Sequence, residues 1–260
     1  PASPLVLITG ASSGIGQALA QAYLQRGWRV ALLARRTDEL QQWLHSLPRT
    51  PDAHQACILG ADVGDAESML GAAQQCIEHM GLPDVVIANA GISLGVDTAE
   101  REDLEVFEQV LRTNTLGVAH TFHPFIQAMQ ARGHGKLVGI ASVAGIRGLP
   151  GHAAYCASKA AVISYCESLR GELRAQGVQV ITIAPGYIAT PLTARNRYPM
   201  PFLMSAEAFA QLALSCIDRG VRYRVIPWPM GIIAKLLKVL PNALFDRALQ
   251  GQPRKHRHKD

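Results

Sequence analysis

Six short runs of aliphatic and β-branched residues recur along the chain, and each is apolar on both faces a strand would present: LVLITG at 5–10, RVALLA at 29–34, ACILGA at 56–61, DVVIANA at 84–90, KLVGIAS at 136–142 and VQVITIAP at 178–185. A strand with one wet face alternates polar and apolar residues, so a run with no polar side needs cover above and below. The intervals between the runs are helix-length, and parallel strands need such crossovers. The pattern predicts an α/β fold: a doubly wound parallel sheet of the Rossmann type, three layers deep.

Helix signals fall in the intervals. Ile15, Ala18, Leu19, Ala22 and Tyr23 repeat at helical spacing, with Gly27 at the place of a C-terminal cap. Thr37 with Asp38 and Glu39 opens a second helix, and Asp65 with Glu67 a third, acidic groups favouring the positive end of the helix dipole.

With 260 residues, 48% of them hydrophobic and 17% charged, the chain can bury one large core. We expect one domain over 1–227, a helical extension over 228–252 and a basic, disordered tail over 253–260. The formal charge of +5 belongs mainly to that tail, PRKHRHKD, so there is no basic face of the kind nucleic-acid binders carry. Cys57, Cys76, Cys156, Cys166 and Cys216 form no CxxC pair, which suits a reducing compartment and argues against disulfides and a metal site. PASPLVLITG carries no charged leader, and no stretch reaches 18 uninterrupted apolar residues, so the expected location is cytoplasmic.

TGASSGIG at 9–16 joins the first strand to the first helix, where backbone N–H groups and a helix N-terminus can hold a pyrophosphate. Gly10 allows the tight turn, Gly14 a close backbone approach to phosphate, and Gly16 close packing of helix on strand; Ser12, Ser13 and Ile15 complete the loop. At the end of the second strand, NAD-preferring sites place an acid for the ribose 2′-OH, whereas a 2′-phosphate calls for arginine. Here Ala34 is followed by Arg35 and Arg36, with no acid until Asp38. A guanidinium grips a phosphate that a carboxylate repels, so we expect NADP(H), with Arg35 as main contact and Arg36 as helper.

YCASK at 155–159 pairs a tyrosine with a lysine one helical turn on. With TGASSGIG, Asp62 after the third strand, NAG at 89–91, Asn114, Ser142 thirteen positions before Tyr155, and PGYIAT at 185–190, it makes the chain resemble the short-chain dehydrogenase/reductase family over residues 5–195. One departure is Ala88, where many members have a second Asn. The resemblance implies that Tyr155 is the acid that protonates a carbonyl oxygen, or the base in reverse, and that Ser142 places that oxygen. It implies that Lys159 holds the nicotinamide ribose, and that Asn114 shapes its helix and holds a water relaying protons through Lys159. Asp62 and Val63 would contact adenine, Asn89 and Gly91 would line the groove, and Pro185, Gly186, Ile188 and Thr190 would sit along the nicotinamide end. A nearby ammonium favours phenolate over phenol, so Lys159 is expected to pull the tyrosine toward the operating pH.

The expected activity is carbonyl–alcohol interconversion on a small molecule. A catalytically silent dinucleotide sensor would not need the acid, the lysine, the serine and the asparagine together, and an extended epimerase or dehydratase would space its glycines differently. The loops IRGLPGHA at 146–153 and PLTARNRYPMPFLM at 191–204 carry Leu149, Tyr198, Met200, Pro201, Phe202, Leu203 and Met204, an apolar lid within 187–209 suited to an apolar or amphipathic substrate. Beyond it, Trp228, Ile232, Ile233, Leu236, Leu237 and Leu240, with Lys235 and Lys238 between, form a helix that either lies on an anionic membrane surface, the inner one, or packs on the sheet edge or a partner subunit. By the same resemblance, a homodimer or homotetramer is expected, with the small-residue face Ala153, Ala157, Ala160 and Ala161 open to close helix approach.

Overall fold

In the computed structural model, which describes residues 3–194, 196 and 199–251, the six apolar runs become β1 (Leu5–Thr9), β2 (Arg29–Ala34), β3 (Ala56–Gly60), β4 (Val85–Ala88), β5 (Gly135–Ile140) and β6 (Val178–Pro185). Between them run α1 (Gly14–Gln25), α2 (Thr37–Ser46), α3 (Ala66–Met80), α4 (Asp103–Leu111), α5 (Gly117–Arg132) and α6 (Ala153–Leu173). A two-strand ribbon follows, β7 (Ile188–Ala189) with β8 (Met204–Ser205), then α7 (Ala206–Asp218), β9 (Tyr223–Ile226), α8 (Trp228–Val239) and α9 (Asn242–Leu249).

β9 joins the six runs in one parallel sheet of order β3-β2-β1-β4-β5-β6-β9. The order reverses at β1 and β4, which lie side by side with Leu7 opposite both Ala31 and Val86. A crevice opens at that reversal, beyond the C-terminal ends of the strands. Successive residues of β1 feed opposite cores. Val6 and Ile8 pack with Leu19, Tyr23 and Phe209 of α1 and α7, while Leu5 and Leu7 pack with Met69, Phe122 and Phe125 of α3 and α5. This double cover is why the run is apolar throughout.

The start of α3 follows the expected chemistry, while α2 starts without a side-chain cap. Asp65 accepts from the N–H groups of Glu67 and Ser68 at 2.9 and 3.2 Å, and Ser205 caps α7 by accepting from Ala208 N at 3.1 Å. α2 begins at Thr37, directly after Arg36. The stretch 187–209 holds the ribbon and the first turn of α7, whose Ala206 and Phe209 are buried in the core. The tail 253–260 and Tyr198 lie outside the described residues. Among those described, no helix is long and apolar enough to cross a membrane.

Candidate active site

The glycine loop is fixed to β4 by side chains. The Thr9 hydroxyl accepts from the N–H groups of Asn89 and Ala90, both at 3.1 Å, and the Asn89 amide donates to Thr9 O and Gly10 O at 3.0 and 3.2 Å. Gly10 has φ +65, and a Cβ there would stand 2.7 Å from Ala90 Cα. Asn89 is thus a clasp on the loop as well as a groove residue, and Thr9 is a positioning residue that the motif reading passed over.

A cleft of about 440 Å³ runs from this loop in both directions. At one end stand Arg35, Arg36, Asp62 and Val63; in the middle Gly10, Ser12, Ser13, Gly14, Ile15, Asn89 and Gly91; at the other end Ser142, Tyr155, Lys159, Pro185, Gly186, Ile188 and Thr190. Gly16, grouped with the cofactor residues by its motif, does not line the cleft. It sits behind the loop, where a Cβ would come within 2.2 Å of Gly10 O, so its part is the close packing of α1. The residues present fit a dinucleotide: a helix N-terminus with unpaired N–H groups faces a cradle wide enough for phosphates, and cations wait beyond β2.

Those two cations differ. Arg36 is tied to Glu39 at 2.8 Å within the first turn of α2, whereas Arg35 stands 3.9 Å from Asp62; the two side chains are equally open, 66% and 65% exposed. Asp62 also accepts from Gly64 N at 2.8 Å, which folds the turn that presents Val63. The His120 ring holds Val63 O from below at 2.8 Å.

At the reacting end, α6 carries Tyr155 and Lys159 one turn apart, and Ser142 follows the end of β5. Ser142 and Lys159 are buried. The Ser142 hydroxyl faces the phenol and favours its ionised form, but burial outweighs it, and with a smaller push from Cys156 the Tyr155 pKa is raised. Burial also lowers Lys159 to about 8. Its ammonium donates to Ile140 O at 2.9 Å and stands 5.9 Å from the Tyr155 ring centroid. The expectation that the lysine draws the tyrosine down is therefore corrected for the protein alone: loss of hydration dominates both groups, and each moves toward its neutral form.

Asn114 lies in a π-helical turn, Arg112–Leu116, between α4 and α5. Its amide accepts from Ile92 N at 2.8 Å and donates to Ile92 O and Ser158 Oγ at 2.9 and 3.0 Å. This side chain is fully buried and holds the chain after β4 against α6, directly behind Lys159.

A second cavity of about 400 Å³ meets the cleft at Ser142, Tyr155, Gly186, Leu192 and Thr193. Of the lid residues expected from sequence, Leu149 and Pro201 line it. Met200 takes a contact from the Asn196 amide at 3.7 Å, Phe202 and Leu203 point outward and Met204 packs on the core from β8, so these four do not. The missing wall comes from α8, through Met230, Ile233, Ala234 and Leu237. The periodicity was in the sequence, but the set Ile232, Ile233, Leu236, Leu237 mixes the inward face with an outward one on which Trp228, Ile232, Leu236 and Val239 are 51–78% exposed. Packing over the site therefore accounts for one face of the extension only.

The family model described as short chain dehydrogenase matches residues 4–200. An uncharacterized oxidoreductase of Myxococcus xanthus is 40% identical over 93% of this chain and 94% of its own length. Dehydrogenase/reductase SDR family member 7B of Bos taurus is 31% identical over 97% of this chain and 82% of its own. Among solved structures, a short chain dehydrogenase from Burkholderia cenocepacia in complex with NADP has a TM-score of 0.80 at 24% identity, covering 95% of this chain and 98% of that one. An alcohol dehydrogenase from Thermococcus sibiricus complexed with 5-hydroxy-NADP has a TM-score of 0.76 at 26% identity, covering 86% and 96%.

Proposed function

The chain belongs to the short-chain dehydrogenase family of NAD(P)(H)-using oxidoreductases, and from that footing we propose that it is an NADP(H)-dependent enzyme interconverting a carbonyl and an alcohol on an apolar or amphipathic substrate. The observation that carries this reading is the meeting of the two cavities: Ser142 and Tyr155 stand in the wall that the cofactor cleft shares with a pocket lined by apolar residues of α8.

A bound NADPH supplies the hydride. The chain supplies the rest. A carbonyl oxygen in the pocket can accept from the Ser142 hydroxyl and lie within reach of the Tyr155 phenol. The raised pKa keeps that phenol protonated at neutral pH, the state a proton donor needs in the direction of reduction. Lys159, still cationic at pH 7, presents donors for ribose hydroxyls and a charge that stabilises the phenolate left behind. Asn114 keeps Ile92 and α6 in register beneath it.

The preference for NADP(H) is supported by Arg35, exposed at the end of β2, and by the nucleotides held in the two solved neighbours. The test is oxidation of NADPH and of NADH against carbonyl compounds graded from short polar to long-chain and ring-bearing. We expect kcat/KM to rise with apolar size and to favour NADPH. Charge-assisted hydrogen bonds to a phosphate correspond to about 10- to 100-fold, and Arg35→Asp should remove that preference. An unchanged preference in Arg35→Asp would move the role to Arg36 or the glycine loop.

The outward ridge of α8, flanked by exposed Lys235 and Lys238, supports contact with an anionic lipid surface. We expect co-sedimentation with anionic liposomes, weakened at least about tenfold when Leu236 and Val239 are both replaced by Asp, given the transfer energy of two large side chains. Equal, negligible sedimentation of both proteins would assign the ridge to a protein neighbour. Assembly into two or four copies is part of the same proposal.

A further inference from the structure

Arg147 stands in the loop between Ser142 and Tyr155, and its guanidinium reaches across to the C-terminal helices. Nη1 donates to Leu237 O and, at 2.6 Å, to Leu240 O; Nη2 donates to Asn242 Oδ1 at 2.9 Å; and Cζ lies 3.8 Å over the Phe245 ring centroid. One side chain thus closes the C-terminal end of α8, where unpaired carbonyls favour a cation, and stacks on the buried anchor of α9.

The same residue faces two spaces. One is the pocket of about 400 Å³ that holds Ser142 and Tyr155; the other, among the described residues, is an open groove of about 880 Å³ floored by Ala153, Ala157 and Ala160 and walled by Phe245. Ala144, Ile146, Arg147, Leu149, Pro150 and Leu249 line both. These shared residues form the partition, and among the described residues Arg147 is its one charged member. Aliphatic side chains in such a partition can shift to let a methylene chain through, whereas a guanidinium held by three acceptors and a ring cannot move without losing all four contacts.

We propose that Arg147 is a septum residue that sets the length of substrate the reaction pocket accepts, by sealing it from the outer groove. The proposal rests on the reading of that pocket as the substrate site. Arg147 touches no reacting atom in this account; it is a positioning and specificity residue. Substrates too short to reach the partition are indifferent to it, and those long enough meet the wall.

The experiment compares wild type with Arg147→Ala and Arg147→Lys on a homologous series of n-alkyl ketones and aldehydes with NADPH. In the wild type kcat/KM should climb about threefold to fourfold for each added methylene until the chain end meets the wall, then level or fall. In Arg147→Ala the climb should continue for several further methylenes, with short members within about threefold of wild type, less than one methylene is worth. Arg147→Lys should keep a cut-off close to that of wild type. A uniform loss at every length would mark a merely structural contact and overturn the proposal, as would profiles that superpose. Should Arg147→Ala melt too low to assay, Arg147→Gln, shorter but still a donor, must show the same extension by a smaller step.

A second readout needs no turnover: displacement of a naphthalene-type fluorescent probe by n-alkanols of graded length, with NADP bound. A wild type that reduces none of the carbonyl series while its displacement profile lengthens in Arg147→Ala would reject the carbonyl reading and keep the septum. Displacement profiles that superpose overturn the septum. No displacement by any alkanol in either protein overturns both.

Discussion

Tyr155→Phe is expected to lower kcat by about 10²- to 10⁴-fold, the range that a positioned proton donor contributes, while the dissociation constant for NADPH stays within about tenfold, the worth of a single hydrogen bond. The substitution removes one oxygen from a ring that α6 otherwise holds unchanged. Ser142 keeps its own bond from Ala144 N at 3.2 Å, and Lys159 keeps Ile140 O, so neither neighbour depends on the phenol for its position. The loss should therefore appear in kcat rather than in cofactor binding, measured by single-turnover rates beside fluorescence titration. A phenylalanine variant with more than about a tenth of the wild-type rate, above anything a lost general acid allows, would pass the role of proton donor to another group.

Lys159→Met should separate function from stability in opposite directions. Activity should fall by at least about a hundredfold, because the cation beside the phenol is removed. The melting temperature at pH 7 without cofactor should rise. The lysine pKa drops from its usual 10.5 to about 8 in the fold, so below pH 8 the folded chain holds an ammonium that water would hold better. That cost is fully present below the folded pKa, shrinks as pH climbs through the interval, and vanishes above 10.5. Its size is about 3 kcal/mol as an upper figure, against about 1–2 kcal/mol for leaving Ile140 O without its donor. The balance is about 1–2 kcal/mol, or about 2–8 °C for a chain of this length. The gain measured by calorimetry should fade as pH is raised from 8 toward 10.5. A melting temperature that drops at pH 7 would place the lysine among the groups that hold the fold together.

What the sequence revealed of this molecule, and what it hid, divides along burial. β2 and β6 coincide with RVALLA and VQVITIAP to the residue because both are buried on the two faces almost throughout, with only Arg29 and Gln179 departing. β9 was missed for the converse reason: it pairs only with β6, and Tyr223 and Arg224 face outward, so its run lacks the two-sided apolar signature. The π-helical turn at Arg112–Leu116 has no periodicity of its own; it is held by what Asn114 reaches, 22 residues back along the chain. Arg147 carries no signal of its own in the loop 146–153 because its acceptors lie about 90 positions away. The Tyr155–Lys159 pair shows the same limit within a single helix. Spacing gives their separation, but the environment that raises one and lowers the other is assembled from β5 and the chain after β4.

α8 is twelve residues long, with an inner side that walls the pocket and an outer side that is exposed among the described residues. A rod that short does not bend between its faces, so a tilt demanded on one side is delivered to the other. Were a neighbour to engage the outer side, free energy would pass through the helix both ways. If a filled pocket tightens the hold of the ridge on its neighbour by some factor, an engaged ridge tightens the pocket by that same factor, whatever the neighbour is. Affinity measured on the free protein and affinity measured at the ridge's own surface are two corners of one thermodynamic square, and the difference between them is the quantity the helix sets.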